Sequence, residues 1–556
     1  MSQKILFVLL IIFYILSRSL IMYQHTPFPD QDDLYSVKAD RIRAGTYFIA
    51  LDEAKYLALA SVFPTHRLFG EIYLAHPPLY PAAIWAADVF HDRLPMQGVC
   101  ISWLASIGVM VMFIFFLKSF GLRGNTFLVA FFLFTVFELP RMYAQLIMKE
   151  EFFLLCFLSA VTFYKYGLER GRSMLLISAV MSLAAAWSAD QGLFLVPVLL
   201  AAWYCFSTRK YIFYEMVAPL TCFSGYMCWL GIRYYFYTHH ELLACGVDGT
   251  IERVSQFGIR QLFNPHLFPN SAALMNFKFQ IDVPRIFYRL NELFTLSSPY
   301  QNLNFIFQLI LLFLSLCGIG SMFRPLKVEH WSPGAGTIIY QRTILFFLIL
   351  LAISFSPLLN RGTQARMMMT VLLAIPIVAS CGLRWLGHIF PPAGGGRRRD
   401  FFLILLFCCV FFLICGTFMS TQGILFKLDF EFETAKTAAY LKTRPEKVIL
   451  AQPGYPPELA YLTGKHVVAL PRSMAMLQEY LSSQKESLLL FGEHYLGSVN
   501  EPEKVVLCRP VIEELIRHPN LFPQLVVIHE NYHAVHWPDR ITVLRVNEAS
   551  FKHLQQ

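Results

Sequence analysis

PPLYPAAIWAADVFH, residues 77–91, decides how the rest of the chain is read. The stretch is apolar enough to suggest a membrane span. It has only 15 residues, however, and Pro81 and Asp88 interrupt it, whereas a helix that crosses a bilayer needs roughly 20. The later loops settle the choice. If 77–91 lies along the membrane surface, five basic groups collect on one side: Lys118/Arg123, Arg170/Arg172, Arg209/Lys210, Arg324/Lys327 and Arg397–Arg399. That is the distribution the positive-inside tendency asks for. If 77–91 crosses, every later loop changes sides and these groups face outward. The stretch therefore reads as an interfacial helix, with the amino terminus inside and residues 23–95 forming a large outer loop.

The surrounding composition is that of a polytopic membrane protein. Of the 556 residues, 56% are hydrophobic and 15% charged, against about 25% charged in a soluble domain. Apolar runs suited to crossing recur at 5–22, 96–118, 125–140, 151–168, 173–188, 191–206, 212–237, 303–323, 341–359, 367–388 and 401–422, about eleven in all. No small-residue cleavage site follows the first, which reads as a retained span. The formal charge of +9 sits largely in short loops and points to membrane topology rather than to nucleic acid. Most of the 12 cysteines fall inside apolar runs, where they pack as small hydrophobes. Cys245 and Cys508 lie outside them, and no framework spacing pairs the two.

The expected fold is an all-α polytopic membrane domain over residues 1–427, with about eleven transmembrane helices, interfacial helices in the first outer loop, and outer loops at 23–95, 141–150, 238–302 and 360–366. A small extracytoplasmic α/β domain follows over 428–556. There, helix-like stretches (Glu431–Lys442, Ser473–Ser482, Pro510–Arg517) alternate with β-like runs at Lys447–Ala451, His466–Leu470, Ser487–Phe491, Lys504–Leu507 and Leu525–His529.

The chemistry concentrates in the first outer loop, in LDEAKYLALASVFPTHRLFGEIYLAHPPLYP, residues 51–81. Asp52 and Glu53 stand beside an apolar surface, after Asp30, Asp32 and Asp33. Carboxylates there cost solvation energy unless they have partners or work. Solvated loop charge is the plain reading. The functional one is a general base, because a carboxylate at a membrane face can take a proton from a nucleophilic hydroxyl. Tyr56 and Tyr80 suit interface packing or substrate contact. His76 precedes Pro77 and Pro78, which preset a helix start.

Asp52-Glu53-x-x-Tyr56 followed by His76-Pro77-Pro78-Leu79-Tyr80-Pro81 resembles the first outer loop of the membrane glycosyltransferases of the C-type fold, the protein O-mannosyltransferase-like and aminoarabinose-transferase-like enzymes. Other pieces follow in the family's order: Arg141 to Phe157, with Lys149-Glu150-Glu151 where an Asp is usual; Trp187 to Gly192; Arg366 followed by MMMTVLLAIP; and AYLKTRPEKVILAQPGYPPELAYLTGKHVVALP near the carboxyl end. The resemblance implies transfer of a sugar from a polyprenyl-phosphate-linked donor, with inversion, on the outer face of a bacterial plasma membrane. It makes Asp52 the base, with Glu53 beside it. The donor phosphate needs cations; Arg366 is the first candidate, then Arg361, with Lys149 and Arg141 behind them. Tyr56, His76, Tyr80 and Glu150 are candidates to touch donor or acceptor. The acceptor is left open between protein, lipid and polysaccharide. No cofactor is required, although paired acidic residues could hold a divalent metal.

Two rivals come from other classes. A transporter or flippase of a lipid-linked sugar would suit many spans, but it places polar groups and broken helices near mid-membrane, whereas the polar clusters here fall in outer loops. His529-Glu530-Asn531-Tyr532-His533 fits the H-E-x-x-H pattern of a zinc hydrolase. That pattern needs a continuous helix, and LVVIH leading into it reads as a strand.

Overall fold

The protein is seen here as a computed structural model that describes residues 3–24, 56–57, 59–60, 77–88, 94–144, 146–208, 211–239, 290, 301–321, 335–355, 368–389, 435–452, 459, 463–471, 473–483, 487–492, 508–520, 522–531 and 538–546. Its helices, in chain order, are α1 (Gln3–Gln24), α2 (Leu79–Asp88), α3 (Leu94–Ser119), α4 (Gly124–Val136), α5 (Glu138–Tyr143), α6 (Lys149–Arg170) and α7 (Arg172–Ser188), then α8 (Leu195–Phe206), α9 (Ile212–His239), α10 (Gln301–Gly320), α11 (Ala335–Phe355) and α12 (Val371–Ile389). Ten of the eleven apolar runs are helical where expected; 401–422 lies outside the described residues. Two runs are interrupted. The run at 125–140 stops at Val136, where Phe137 is extended, and restarts as α5. The run at 191–206 opens on a 3₁₀ turn, Asp190–Phe194. Gly192 permits this: a Cβ there would come 2.6 Å from the backbone of Ala185 and Ala186 at the end of α7.

Helix α2 has ten residues, about 15 Å of rise, half of a bilayer's hydrocarbon thickness. It is a helix, as the prolines predict, and too short to cross alone. Its first turn closes through the Ala82 amide donating to the Pro78 carbonyl, 2.9 Å.

The chain divides into two compact units. The first comprises Met1–Tyr23, Gly98–Met227 and Phe279–Ile424. Its helices are built inside-out relative to a water-soluble bundle. On α1, Leu6, Leu10, Tyr14, Ser17 and Arg18 are buried, while Ile5, Val8, Ile12 and Leu16 form an exposed apolar stripe. Exposed Leu309, Ile310, Leu312, Phe313 and Leu316 do the same on α10. Such a surface suits lipid and would be an aggregation liability in water. Among the described residues, Gln97–Ser119 and Lys149–Arg170 are long and apolar enough to cross a membrane, and six further apolar helices are shorter. Helices α10 and α12 approach closely because glycines face each other's backbone: a Cβ at Gly318 would meet the Val378 carbonyl at 2.1 Å, and one at Gly382 the Leu314 carbonyl at 1.9 Å. Small residues allow this kind of contact in membranes, where burial of apolar area drives nothing.

The second unit comprises Gln24–Gln97, Cys228–Lys278 and Leu425–Gln556. Its carboxyl-terminal part is α/β, with α13 (Ala435–Lys442), β1 (Val448–Ala451), β2 (His466–Ala469), α14 (Met474–Ser483), β3 (Ser487–Gly492), α15 (Arg509–Arg517), β4 (Gln524–Asn531) and β5 (Pro538–Arg545). The sheet order is β2-β1-β3-β5-β4; β2, β1 and β3 are parallel, and β5 runs antiparallel to both neighbours. Alternation along β1 fills two cores. Val448 and Leu450 meet Leu477, Leu481, Val511, Ile512 and Leu515 from α14 and α15, while Ile449 and Ala451 meet Ala438 and Leu441 from α13. A parallel strand covered on both faces reads as the unbroken apolar run VILA. The strand expected at Lys504–Leu507 lies outside the described residues. The sequence reading missed β5, which opens on Pro538; the first residue of a strand tolerates the missing N–H. Cys508 is buried.

Candidate functional site

Polar side chains in an apolar helix are expensive, so where they converge is informative. On α1, Tyr14, Ser17 and Arg18 are spaced to share one face. On α3, Ser102 and Ser106 do the same, one turn apart. The two faces meet. The Tyr14 hydroxyl lies 3.0 Å from both the carbonyl and the hydroxyl of Ser106, and the Trp103 indole N–H donates to Ser19 Oγ at 3.1 Å. The guanidinium of Arg18 lies over the Tyr14 ring, 3.4 Å from its centroid.

The third element is the start of α6. Its first turn carries Lys149, Glu150 and Glu151, all buried, at 7%, 8% and 0% exposure. Acidic residues suit this position, because the unpaired N–H groups and the dipole favour negative charge at a helix start. The turn is held against α3 by Ser102 Oγ donating to the Met148 carbonyl at 3.2 Å. Gly98 makes room for the preceding segment; a Cβ there would come 2.6 Å from Ile147. Arg141, on α5, is buried at 1% exposure. Glu151 is surrounded electrostatically by Arg18, Ser106 and Glu150. The carboxyl end of α1 and the amino ends of α3 and α6 thus enclose a buried, charged cluster.

The opposite end of these helices is basic. Lys118 closes α3, Arg123 precedes α4, and Arg170 and Arg172 flank the α6–α7 turn. Gln3, near the amino terminus, donates to Asn125 at 2.7 Å, so the chain begins at this end. Lys165 lies there too, bonded to Glu169 and 4.2 Å from the Phe206 ring centroid. Glu215 accepts from Trp203 at 2.9 Å and Ser207 at 2.6 Å, which ties α8 to α9. Two of the five basic groups, Lys118/Arg123 and Arg170/Arg172, thus gather at one end of these helices; the others lie outside the described residues.

Of the residues singled out from sequence, Lys149 and Glu150 are in the buried cluster. Tyr56 and Tyr80, in the other unit, are both buried and pack edge to face, with centroids 5.1 Å apart at 89°; this pins residue 56 to α2. Asp52, Glu53, His76, Arg361 and Arg366 lie outside the described residues. His529 and Glu530 are in β4, opposite Arg540 and Asp539 of β5. The backbone there is extended, so the continuous helix that the zinc-hydrolase pattern needs is absent from the described part; His533 lies outside it. Among the described residues no group of three metal-binding side chains gathers.

Sequence reading missed Arg18, with Tyr14 and Ser106 around it, and took Glu151 only as part of a charged run. The signal was available: an arginine one turn beyond a tyrosine, inside an otherwise apolar run.

No protein-family model matches the chain, and no curated protein matches it in sequence. Solved structures do. The oligosaccharyltransferase of Archaeoglobus fulgidus in its apo form is 11% identical, with 96% of this chain and 75% of that one covered and a TM-score of 0.50. ArnT from Cupriavidus metallidurans is 10% identical in two crystal structures. The one bound to undecaprenyl phosphate covers 98% of both chains at a TM-score of 0.48, and the apo one covers 97% of both at 0.49. At such identities the likeness is one of fold: nearly the whole chain follows the fold of the archaeal oligosaccharyltransferase.

Proposed function

We propose that this protein is an integral membrane glycosyltransferase that moves a sugar from a polyprenyl-phosphate-linked donor to an acceptor on the outer face of the membrane. The observation that carries the proposal is the buried charged cluster at one end of a lipid-facing bundle, opposite the basic end, on a glycosyltransferase fold. Buried charge at such a depth is retained for function or for a partner. A lipid donor suits the setting, because its tail needs apolar helix surface and its headgroup needs fixed polar groups at the membrane face.

In this reading Asp52 deprotonates the acceptor hydroxyl, with Glu53 beside it, and the hydroxyl oxygen attacks the anomeric carbon as the lipid phosphate leaves from the other side, inverting that centre. Arg366, then Arg361 and Lys149, neutralise the leaving phosphate. Glu150 and His76 face donor or acceptor. Tyr56 and Tyr80, closed on each other, shape the loop that carries Asp52. About eleven spans put the amino terminus in the cytoplasm and residues 428–556 outside, in a bacterial plasma membrane. The family resemblance and the order of its motifs support these assignments.

Purified protein in liposomes, given a polyprenyl-phosphate sugar and a crude acceptor fraction, tests the proposal. The expected result is bare polyprenyl phosphate appearing in step with glycosylated product. Movement of intact donor across the bilayer, with no loss of sugar from the lipid, would replace the enzyme with a flippase.

A further inference from the structure

Arg18 and Glu151 have no part in the reaction outlined above, yet they are the most completely buried charges of the cluster, each at 0% exposure. Neither oxygen of Glu151, nor Nε and Nη2 of Arg18, has a hydrogen bond of good geometry; among the described residues the Ser106 hydroxyl is the one donor near Glu151, and Arg18 Nη1 has only long contacts to the Tyr14 carbonyl at 3.5 Å and Ser17 Oγ at 3.4 Å. Burying a charge without hydrogen bonds is far costlier than burying a satisfied one. The two groups are electrostatic neighbours, yet no ion pair joins them. Among the described residues nothing else satisfies them.

We infer that Arg18 and Glu151 together bind hydroxyl groups of a neutral sugar, the headgroup of the lipid donor. The choice follows from charge. A phosphate would satisfy Arg18 but meet the Glu151 carboxylate, and an ammonium group would satisfy Glu151 but meet Arg18. A hydroxyl accepts from a guanidinium and donates to a carboxylate, so vicinal hydroxyls complete both groups at once. The Tyr14 ring under Arg18 and the Tyr14–Ser106 bond fix the guanidinium on one side. The first turn of α6 fixes the carboxylate on the other. The inference rests on the glycosyltransferase reading and adds to it which residues read the sugar rather than the phosphate.

Native mass spectrometry of the full-length protein tests it, with bare polyprenyl monophosphate competing against the same lipid carrying a neutral hexose or pentose. Wild type should retain a glycosylated lipid over the bare one by about tenfold or more, the scale of a lost hydrogen bond to a charged group. Arg18→Gln and Glu151→Gln should each reduce that preference to about twofold or less while binding bare lipid as wild type does. Should the glutamine variants fail to fold, Arg18→Lys and Glu151→Asp take their place, keeping the charge but moving the donor or acceptor, with an intermediate preference expected. Undiminished preference in the variants overturns the sugar role and leaves the glycosyltransferase reading standing. Equal loss of both lipids together with thermal stability makes the pair a water-bridged structural element and overturns it as well. Wild type that binds neither lipid removes both readings.

Discussion

Arg366 and Asp52 carry different parts of the proposed reaction, and substitutions should separate them. A guanidinium grips a phosphate through a planar fork that an ammonium lacks. Arg366→Lys should therefore raise the donor KM by about tenfold and leave kcat within about threefold, a split that steady-state kinetics with varied donor reads directly. Single residues were the least legible part of this protein. Lys149 and Glu150 could be picked out because charges at a loop–helix boundary are visible in a linear sequence. Arg18 could not be matched with Glu151, because the two stand 133 positions apart and their nearness depends on which face each helix turns inward.

Elements were easier to read, since each is specified by its own local pattern. The apolar runs and the strand VILA needed nothing beyond their own residues. Strand β5 was obscured by Pro538, Asp539 and Arg540, although Ile541 and Val543 alternate into one core beyond them. Close approach of α10 and α12 yields a prediction at this scale. Gly382→Ala places a methyl against the Leu314 carbonyl and should cost about 1–3 kcal/mol, lowering the thermal midpoint in detergent while activity per folded molecule holds. The sheet gives another. Glu446, 2% exposed, accepts from Arg444 at 3.2 and 3.0 Å and lies 3.5 Å from Arg545. Burial pushes its carboxyl up, but the Arg444 hydrogen bonds and the charges of Arg444 and Arg545 outweigh that and hold it below the usual range. A depressed folded value means the stabilisation is present above the unfolded value of about 4.3 and is lost as pH falls through the folded one. The protection of the β1 amides of full-length protein, read as hydrogen exchange relative to the intrinsic rate at each pH, should therefore fall in acid below about pH 4.3, and Glu446→Gln should flatten that dependence.

For the whole molecule, sidedness is the property that chemistry imposes on the fold. In the proposed reaction a lipid-linked donor and a base in the first loop share one face of the membrane. The basic end of α3, α4, α6 and α7, together with Gln3, belongs on the other. A reporter active only outside the cytoplasm should signal when fused after Gln556 and stay silent when inserted at Arg397–Arg399; the reverse would invert the topology. At this level the sequence offers a charge pattern, and of its basic groups Lys118, Arg123, Arg170 and Arg172 gather at one end of the helices. Turnover of purified protein in lipid bilayers, comparing wild type with Asp52→Asn on a polyprenyl-phosphate sugar, tests the central claim most directly. Loss of a general base should slow release of bare polyprenyl phosphate by about 100-fold or more with donor binding retained; an Asp52→Asn protein that turns over as fast as wild type would contradict the account.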